Sequence, residues 1–498
     1  MNGQEFRVEI ERGVYFLEPM RPYIGGKLVA FPAAANVMNP ANNEIIGAIG
    51  LADLALTQQA LEAAEAAFPT WSDIAVNERA QWMHKLRDAI IQNEEKLRHY
   101  VHIEMGKPWA ATADDYQMLV DSLEYYAAEI QNIKEEYIDD SAGTHSHVIS
   151  REPVGVVAAF LAWNFPLLNL AYKLGPAMAA GCPIVIKPSL QTPLSTYAVG
   201  ELCAEIGLPD GAVNIICGSD AAIGDAISAS PIPQMLTLIG STQTGKHVIR
   251  TGATSIKRYS MELGGDAPVL VFEDADLDNA ADVICALKFG NSGQICVAPN
   301  RVYAHSTIAE KLTQKIVERA ENIKVGFDKE ADINMGPLID QKAWARIDGL
   351  VKDAVSRGAS LLAGGGYPDG LEQGSFYAPT VISGVTKEMQ LGVEEVFGPI
   401  ISMMQPFEDE VAILCAANDT DAGLTAYVFT SDSERADRCA RALRFGEVQI
   451  NGVRYAINLP HVGIKQSGIG VDCSHLALDD YLVTKRVSRA LNIKGGGA

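Results

Sequence analysis

Residues 261–296 read Met261-Glu262-Leu263-Gly264-Gly265, then DAPVLVFEDADLDNAADVICALKF over 266–289, then Gly290-Asn291-Ser292-Gly293-Gln294-Ile295-Cys296. The apolar run Pro268–Phe272 has the length and composition of a buried strand, and Leu277–Phe289 carries helical periodicity. Glu262, set among apolar residues and glycines, is a candidate general base. Cys296, at the end of a Gly-Gln loop, is a candidate nucleophile. A strand and helix starting directly after Glu262 open a second α/β alternation, which continues with a strand at 301–304 and a helix at 308–322. Upstream lies a first alternation. Its strands are 154–161, 183–187, 213–217 and 234–239, and its helices are 168–180, 195–206 and 221–228. Such alternation argues for parallel sheets with helices on their faces, the usual frame for a dinucleotide. The chain is therefore expected to be two α/β domains joined near Glu262, with the site in the cleft between them.

At 498 residues the chain exceeds one ordinary core, in keeping with two or three domains. Its 62 acidic against 40 basic residues give a net charge of −22, which argues against a sequence-independent grip on nucleic acid or on anionic membranes. The eight cysteines (182, 203, 217, 285, 296, 415, 439, 473) form no CxxC pair and read as reduced residues in apolar runs, which suits a cytoplasmic protein. Met1–Arg7 lacks a basic-then-apolar signal pattern. Residues 154–172 carry no charge, but Pro166, Asn164 and Asn169 interrupt them, so a buried strand is expected there rather than a membrane span. Further helices are expected over 53–68, 77–103 and 112–133, and 138–149 reads as an edge hairpin. His145 and His147 alternate as an exposed strand would. No HxxxH or HExxH pair marks a metal site, and no GxSxG marks a serine nucleophile.

Three further stretches carry chemistry. Gly240-Ser241-Thr242-Gln243-Thr244-Gly245 lies between a strand and a helix, where glycines and a helix N-terminus suit a phosphate; an ordinary strand-to-helix turn would look similar. Lys187-Pro188-Ser189 ends another strand, either as a ligand contact or as a surface turn. In Ala162-Trp163-Asn164-Phe165-Pro166 the asparagine lies between two aromatics and must find a partner. Its amide either donates to an oxyanion or caps the helix after Pro166.

Together WNFP (163–166), KPS (187–189), GSTxxG (240–245), MELGG (261–265), GQIC (293–296), EEVFGP (394–399) and KQSGIG (465–470) resemble the aldehyde dehydrogenase superfamily, over about residues 20–490. The resemblance implies an α/β fold with a Rossmann-type cofactor domain (1–137 and 150–261) and an α/β catalytic domain (262–450). It also implies a small β oligomerisation arm (138–149 and 478–498) and a cleft loop (451–477). It implies that Cys296 is the nucleophile and Glu262 the base activating the deacylating water. Asn164 and the Cys296 backbone N–H would form the oxyanion hole, and Lys173 and Asp472 a proton-relay pair. The cofactor, NAD or NADP, would meet Lys187 at the adenine ribose, Ser241 at the pyrophosphate, Glu395 at the nicotinamide ribose and Phe397 at the nicotinamide. Trp163, Ser189, Gly240, Gly245 and Leu263 complete that set. The aldehyde tunnel would be lined by Phe165, Asn169, Tyr172, Ile295, Val297, Tyr455 and His461, with Arg454 nearby. The chain is expected to be a homodimer or homotetramer.

The sequence departs from the family pattern in telling places. Leu190 stands where strictly NAD-dependent members carry a glutamate for the ribose hydroxyls, so neither NAD nor NADP is excluded. Ala162 replaces a proline. Tyr172 and Gly290 stand where succinic semialdehyde enzymes carry arginines. Pro460-His461-Val462-Gly463 is similar to lactaldehyde and glycolaldehyde dehydrogenases, which suits a small hydroxylated or acidic aldehyde; His461 alternatively reads as a satisfied loop histidine. The expected reaction oxidises an aldehyde to the acid through a Cys296 thiohemiacetal and thioester, which Glu262 hydrolyses. The alternatives are a semialdehyde dehydrogenase, a CoA-acylating enzyme, which would usually lack the MELGG glutamate, or a catalytically silent structural homologue.

Overall fold

The computed structural model describes residues 8–10, 13–15, 18–218, 220–329 and 331–491. Met1–Arg7 lies outside the described residues, as do the arm beyond 491 and its tail Gly495–Ala498, whose sequence suggests no fixed structure.

Two large sheets organise the chain. In the first, five parallel strands lie in the spatial order Val213–Ile215, Ile184–Lys187, Val156–Phe160, Pro233–Ile239, Arg258–Glu262. Chain order thus reverses between 156–160 and 233–239, a switch point where a ligand can lie across the carboxyl ends of the strands. WNFP and GSTxxG emerge from these two ends. The last strand, Arg258–Glu262, was not expected from the sequence. Only Ser260, Met261 and Glu262 are buried in it, so it lacks a continuous apolar run. It carries Glu262 at its end and pairs on its outer side with Gly468–Ile469 of KQSGIG.

The second sheet runs in the order Ser360–Ala363, Thr380–Val385, Ile400–Met404, Pro299–Ala304, Ala267–Val271, Thr425–Phe429, Glu447–Ile450. All its neighbours are parallel except the first pair. Only residues 263–266 separate Glu262 from Ala267. The carboxyl end of the first sheet therefore adjoins the amino end of the second. Cys296 precedes strand 299–304, Glu395 and Phe397 precede strand 400–404, and Glu447 begins its strand, so all approach the same seam.

The charge-free stretch 154–172 resolves into the wholly buried strand 156–160 and the helix Pro166–Ala180, of which all but Leu168 is buried. Among the described residues no helix is long and apolar enough to cross a membrane. The helix expected over 77–103 is two helices, Val76–Gln92 and Glu94–Met105. Asn93 leaves helical geometry (φ −113°, ψ 22°), although the apolar spacing runs through the break. The helix expected over 221–228 is a wide turn, Asp220–Gly224, leading into Asp225–Ala229. A third, three-stranded antiparallel sheet joins Glu136–Ile138, His145–Pro153 and Leu482–Ala490. Its last strand starts later than the sequence suggested, because Leu478–Tyr481 forms a helical turn.

Candidate active site

The Cys296 loop is shaped by backbone that few residues tolerate. Asn291, Ser292 and Gly293 take φ of 47°, 56° and 70° in succession. A Cβ added at Gly293 would lie 2.2 Å from the Gly398 carbonyl oxygen, so only glycine fits there. Gly265 plays the matching part on the other side, where an added Cβ would lie 2.3 Å from the Cys296 carbonyl oxygen. The MELGG turn and the GQIC loop therefore touch through bare backbone. A Glu262 carboxylate oxygen, the Cys296 sulfur and a His461 ring nitrogen all lie within 4.8 Å of one another. The candidate base and the candidate nucleophile meet.

KQSGIG straps the turn from behind. The Ser467 hydroxyl donates to the Gly264 carbonyl (2.7 Å) and accepts from the Gly423 N–H (2.8 Å). The Leu263 N–H donates to the Ser467 carbonyl at 2.9 Å.

Asn164 does not cap the helix at Pro166, whose first turn has no side-chain cap. Its amide N–H donates instead to the Gln294 carbonyl at 3.1 Å, two residues from Cys296. Asn169 donates to the Asn164 side-chain oxygen at 3.2 Å, which fixes the amide with its donor side toward the cysteine loop. Asn291 adds a bond to the Asn164 carbonyl at 3.0 Å. The arrangement suits a preorganised donor to an oxygen on the Cys296 adduct.

Two cavities converge on this centre, and Asn164, Glu262 and Cys296 line both. The first is walled by Trp163, Gly240, Ser241, Leu263, Glu395 and Phe397. It continues past Trp163 and Ser241 to Lys187 and Ser189. The second, of about 550 Å³, is walled by Phe165, Asn169, Tyr172, Ile295, Val297, Tyr455 and His461, with Arg454 toward its exposed end. Gly245 stands apart from the cofactor set. It lies inside the helix Thr242–Gly252, where an added Cβ would come within 2.6 Å of Leu263, so it serves close packing and does not line the cavity.

The first cavity fits a dinucleotide. It begins at the switch point, passes the N-terminus of the helix Thr242–Gly252, which Ser241 caps, and ends at Cys296. Glu395 reaches in beside the bare Gly264 and accepts from the Gly265 N–H at 3.0 Å. Burial, with Glu262 nearby, pushes its carboxyl up to about 7. Phe397, at a positive φ of 47°, sets its ring edge-on to Trp163 at 5.4 Å. Arg346, which no motif marks, holds this loop by donating to the Glu395 and Val396 carbonyls at 2.6 Å.

On the other side Lys173 and Asp472 form a buried ion pair, with Nζ 2.6 and 2.7 Å from the two carboxylate oxygens. Burial raises the Asp472 carboxyl, and Lys173 opposes that rise. The pair lines neither cavity. It reaches the site through paired backbone bonds between Asp472 and His461, at 2.7 and 3.0 Å. His461 lies against Cys296 (Nε2 to Sγ 4.0 Å) and Glu262 (3.4 Å), and Glu447 holds its Nδ1 at 2.6 Å. The ring is thus satisfied, as a loop histidine would be, and also lines the second cavity. Burial alone would lower its imidazole; the contacts to Cys296, Glu262 and Glu447 outweigh it and raise it well above its ordinary value. Burial and then the Glu262 charge push the Cys296 thiol up, against the pull of His461. Besides Arg346, the sequence does not mark Glu447 or the buried pair Lys107–Asp115 (2.5 Å), whose ammonium lies 3.4 Å over Phe165 in the tunnel wall. No motif surrounds either.

A family model described as the aldehyde dehydrogenase family matches residues 31–487. The mitochondrial succinate-semialdehyde dehydrogenase of Oryza sativa subsp. japonica is 38% identical over 468 residues, 93% of this chain and 88% of that protein. The succinate-semialdehyde dehydrogenase [NADP(+)] GabD of Escherichia coli strain K12 is 35% identical over 453 residues, 91% and 93% of the two. Among solved structures, betaine aldehyde dehydrogenase from Staphylococcus aureus in complex with NAD+ superposes with a TM-score of 0.92. It is 33% identical and covers 95% of each chain. The chain belongs to the aldehyde dehydrogenase family, and it is an oxidoreductase that uses NAD or NADP.

Proposed function

We propose that this aldehyde dehydrogenase oxidises a small polar aldehyde to its carboxylic acid by a hydrolytic route at Cys296. The observation that carries this reading is the meeting of Glu262, Cys296 and Asn164 at the junction of two cavities, one for each reactant. The Cys296 sulfur adds to the aldehyde carbonyl, forming a thiohemiacetal. The Asn164 amide and the Cys296 backbone N–H would face the oxygen that becomes charged, and a donor of this kind contributes on the order of 3 kcal/mol. A bound nicotinamide supplies the chemistry of hydride acceptance, and Lys187, Ser189, Ser241, Glu395 and Phe397 are the residues that would hold the dinucleotide. Glu262 then draws a proton from water as the water attacks the thioester carbon, and the acid leaves. Lys173 and Asp472, behind His461, would pass that proton outward.

The substrate side favours hydrogen-bonding groups. Tyr172, Asn169, Tyr455 and His461 surround the reacting centre, and the positions of Tyr172 and Gly290 offer no arginine for a carboxylate. A lactaldehyde- or glycolaldehyde-like hydroxy-aldehyde fits this wall. A semialdehyde is the second reading, favoured by the names of the relatives and by Arg454 in the outer wall of the tunnel. Cofactor reduction measured with NAD and NADP in parallel, across hydroxy-aldehydes, semialdehydes and aromatic aldehydes, decides between them. The proposal expects turnover of the small polar group and its loss in Cys296→Ser. Full activity of Cys296→Ser would overturn the mechanism. If a semialdehyde proves best, Arg454→Ala should raise its KM by up to about fivefold, as loss of one exposed charged contact of about 1 kcal/mol or less does.

A further inference from the structure

Catalysis at a buried thiol raises a problem of charge. Cys296, Glu262 and Glu447 are three potential anions around one small space, and the side chains of Glu262 and Glu447 are only 7% and 10% exposed. An unpaired buried anion is costly, so either a carboxylate keeps a proton or a cation is supplied. Among the described residues, the ring of His461 touches all three groups. Its Nδ1 faces Glu447 at 2.6 Å, and its Nε2 faces Glu262 at 3.4 Å and the Cys296 sulfur at 4.0 Å.

We propose that the Glu447–His461 pair is the shared counter-ion of the reacting centre. One imidazole N–H would face the Glu262 carboxylate before activation and the Cys296 sulfur after it. The inference rests on the proposed oxidation at Cys296, and it gives His461 a task beyond lining the tunnel.

The proton count closes without outside groups. On activation the Cys296 S–H bond breaks and its proton moves to a Glu262 oxygen. The negative charge passes from carboxylate to sulfur, and the imidazolium keeps both of its protons. Total charge is unchanged, so no ion has to enter or leave to balance these buried side chains. The ring need not move, because Nε2 already lies near both atoms. Its frame is rigid: His461 and Asp472 exchange both backbone hydrogen bonds, and Lys173 clamps Asp472. The Tyr172 and Tyr455 rings flank it, each with centroids 6.1 Å away. The other titratable neighbours are Cys473 and Asp472, and Asp472 is already matched by Lys173. Glu447 is a positioning residue, acting on sulfur only through the ring.

The test reads the thiol directly, without aldehyde or cofactor. In a Cys415→Ser background, which removes the exposed thiol, the rate of iodoacetamide alkylation of Cys296 is followed against pH, with thiolate absorbance in parallel. The activated form holds as many protons as the resting form, so the parent should show a plateau around neutral pH. In His461→Asn two buried carboxylates lack a cation and Glu262 takes up a proton. The plateau should then begin at least about one pH unit higher, with alkylation near pH 7 about tenfold slower. Glu447→Gln leaves the ring in place but removes the carboxylate that holds its Nδ1 proton, so the ring loses its charge at lower pH and the plateau should begin higher by less than in His461→Asn. Melting curves show that each variant is folded; should His461→Asn fail to fold, Glu447→Gln decides alone. An unchanged profile in either folded variant overturns the proposal. Cofactor reduction by the parent with the aldehyde panel is scored separately. No turnover there defeats the proposed oxidation whatever the alkylation profile, and turnover with unchanged profiles defeats only the shared counter-ion.

Discussion

Glu262 and Cys296 are 34 positions apart in sequence, and two glycines shape their approach: Gly265 lies against the Cys296 carbonyl, and Gly293 packs the cysteine loop against the Gly398 carbonyl. Those glycines were legible as motif letters, and so were Asn164 and the polar residues of the tunnel. Glu447 was not. It begins an unremarkable strand, Glu447–Ile450, and acquires a role only because the chain returns 14 residues later to bring His461 against it. Asn164 shows the converse: the sequence leaves open a helix cap or a donor to an oxyanion, and only the tertiary contact with Gln294 removes the cap. Glu395 carries a pH signature. Its carboxyl is raised in the folded chain, from the ordinary 4.5 to about 7. The folded state therefore binds more protons between these values, and stability falls as pH rises from about 4.5 to about 7, then levels. Melting temperatures of the cofactor-free protein should show this slope reduced in Glu395→Gln; equal slopes would remove Glu395 as its source.

The individual elements were read with uneven success, for physical reasons. The helix Leu277–Phe289 is found where its periodicity puts it, and Asp276 caps it by accepting from the Asp278 and Asn279 N–H groups. The break at Asn93 was hidden, because both helices flanking it bury the same spacing of apolar residues. Strand Arg258–Glu262 was hidden because its early residues are polar and partly exposed, yet it delivers Glu262. The 290–296 loop is the most constrained segment of the site. Gly293→Ala should place a Cβ against the Gly398 carbonyl in a left-handed backbone, at a cost of about 1–3 kcal/mol. The expected outcome is a melting temperature lowered by a few degrees and turnover lowered by about a hundredfold, since a displacement of about 1 Å near reacting atoms costs that much. Wild-type turnover in a folded Gly293→Ala would show that the loop's shape is not what places Cys296.

At the scale of the whole molecule, the seam between two parallel sheets explains why motifs from so many parts of the chain converge. The strands of the first sheet end where those of the second begin, and the short link 263–266 holds them together. We propose that the three-stranded sheet of 136–138, 145–153 and 482–490 pairs copies of the chain. Tyr137, Ile138 and Val487 are exposed on it, at 75%, 42% and 38%, and among the described residues no further strand pairs with either outer strand. Light scattering should give a mass of two or four chains, and Tyr137→Asp with Val487→Asp should lower it; a single-chain mass for the parent would contradict the pairing.

In the proposed reaction Cys296 carries the acyl group and Glu262 drives its hydrolysis. Intact-mass and peptide-mapping measurements on Glu262→Gln, incubated with a turned-over aldehyde and NAD or NADP, test it most directly. Cofactor reduction should stop near one equivalent per site while Cys296 gains the mass of the aldehyde less two hydrogens. Sustained turnover at the parent's rate, or a halt with Cys296 unmodified, would contradict it.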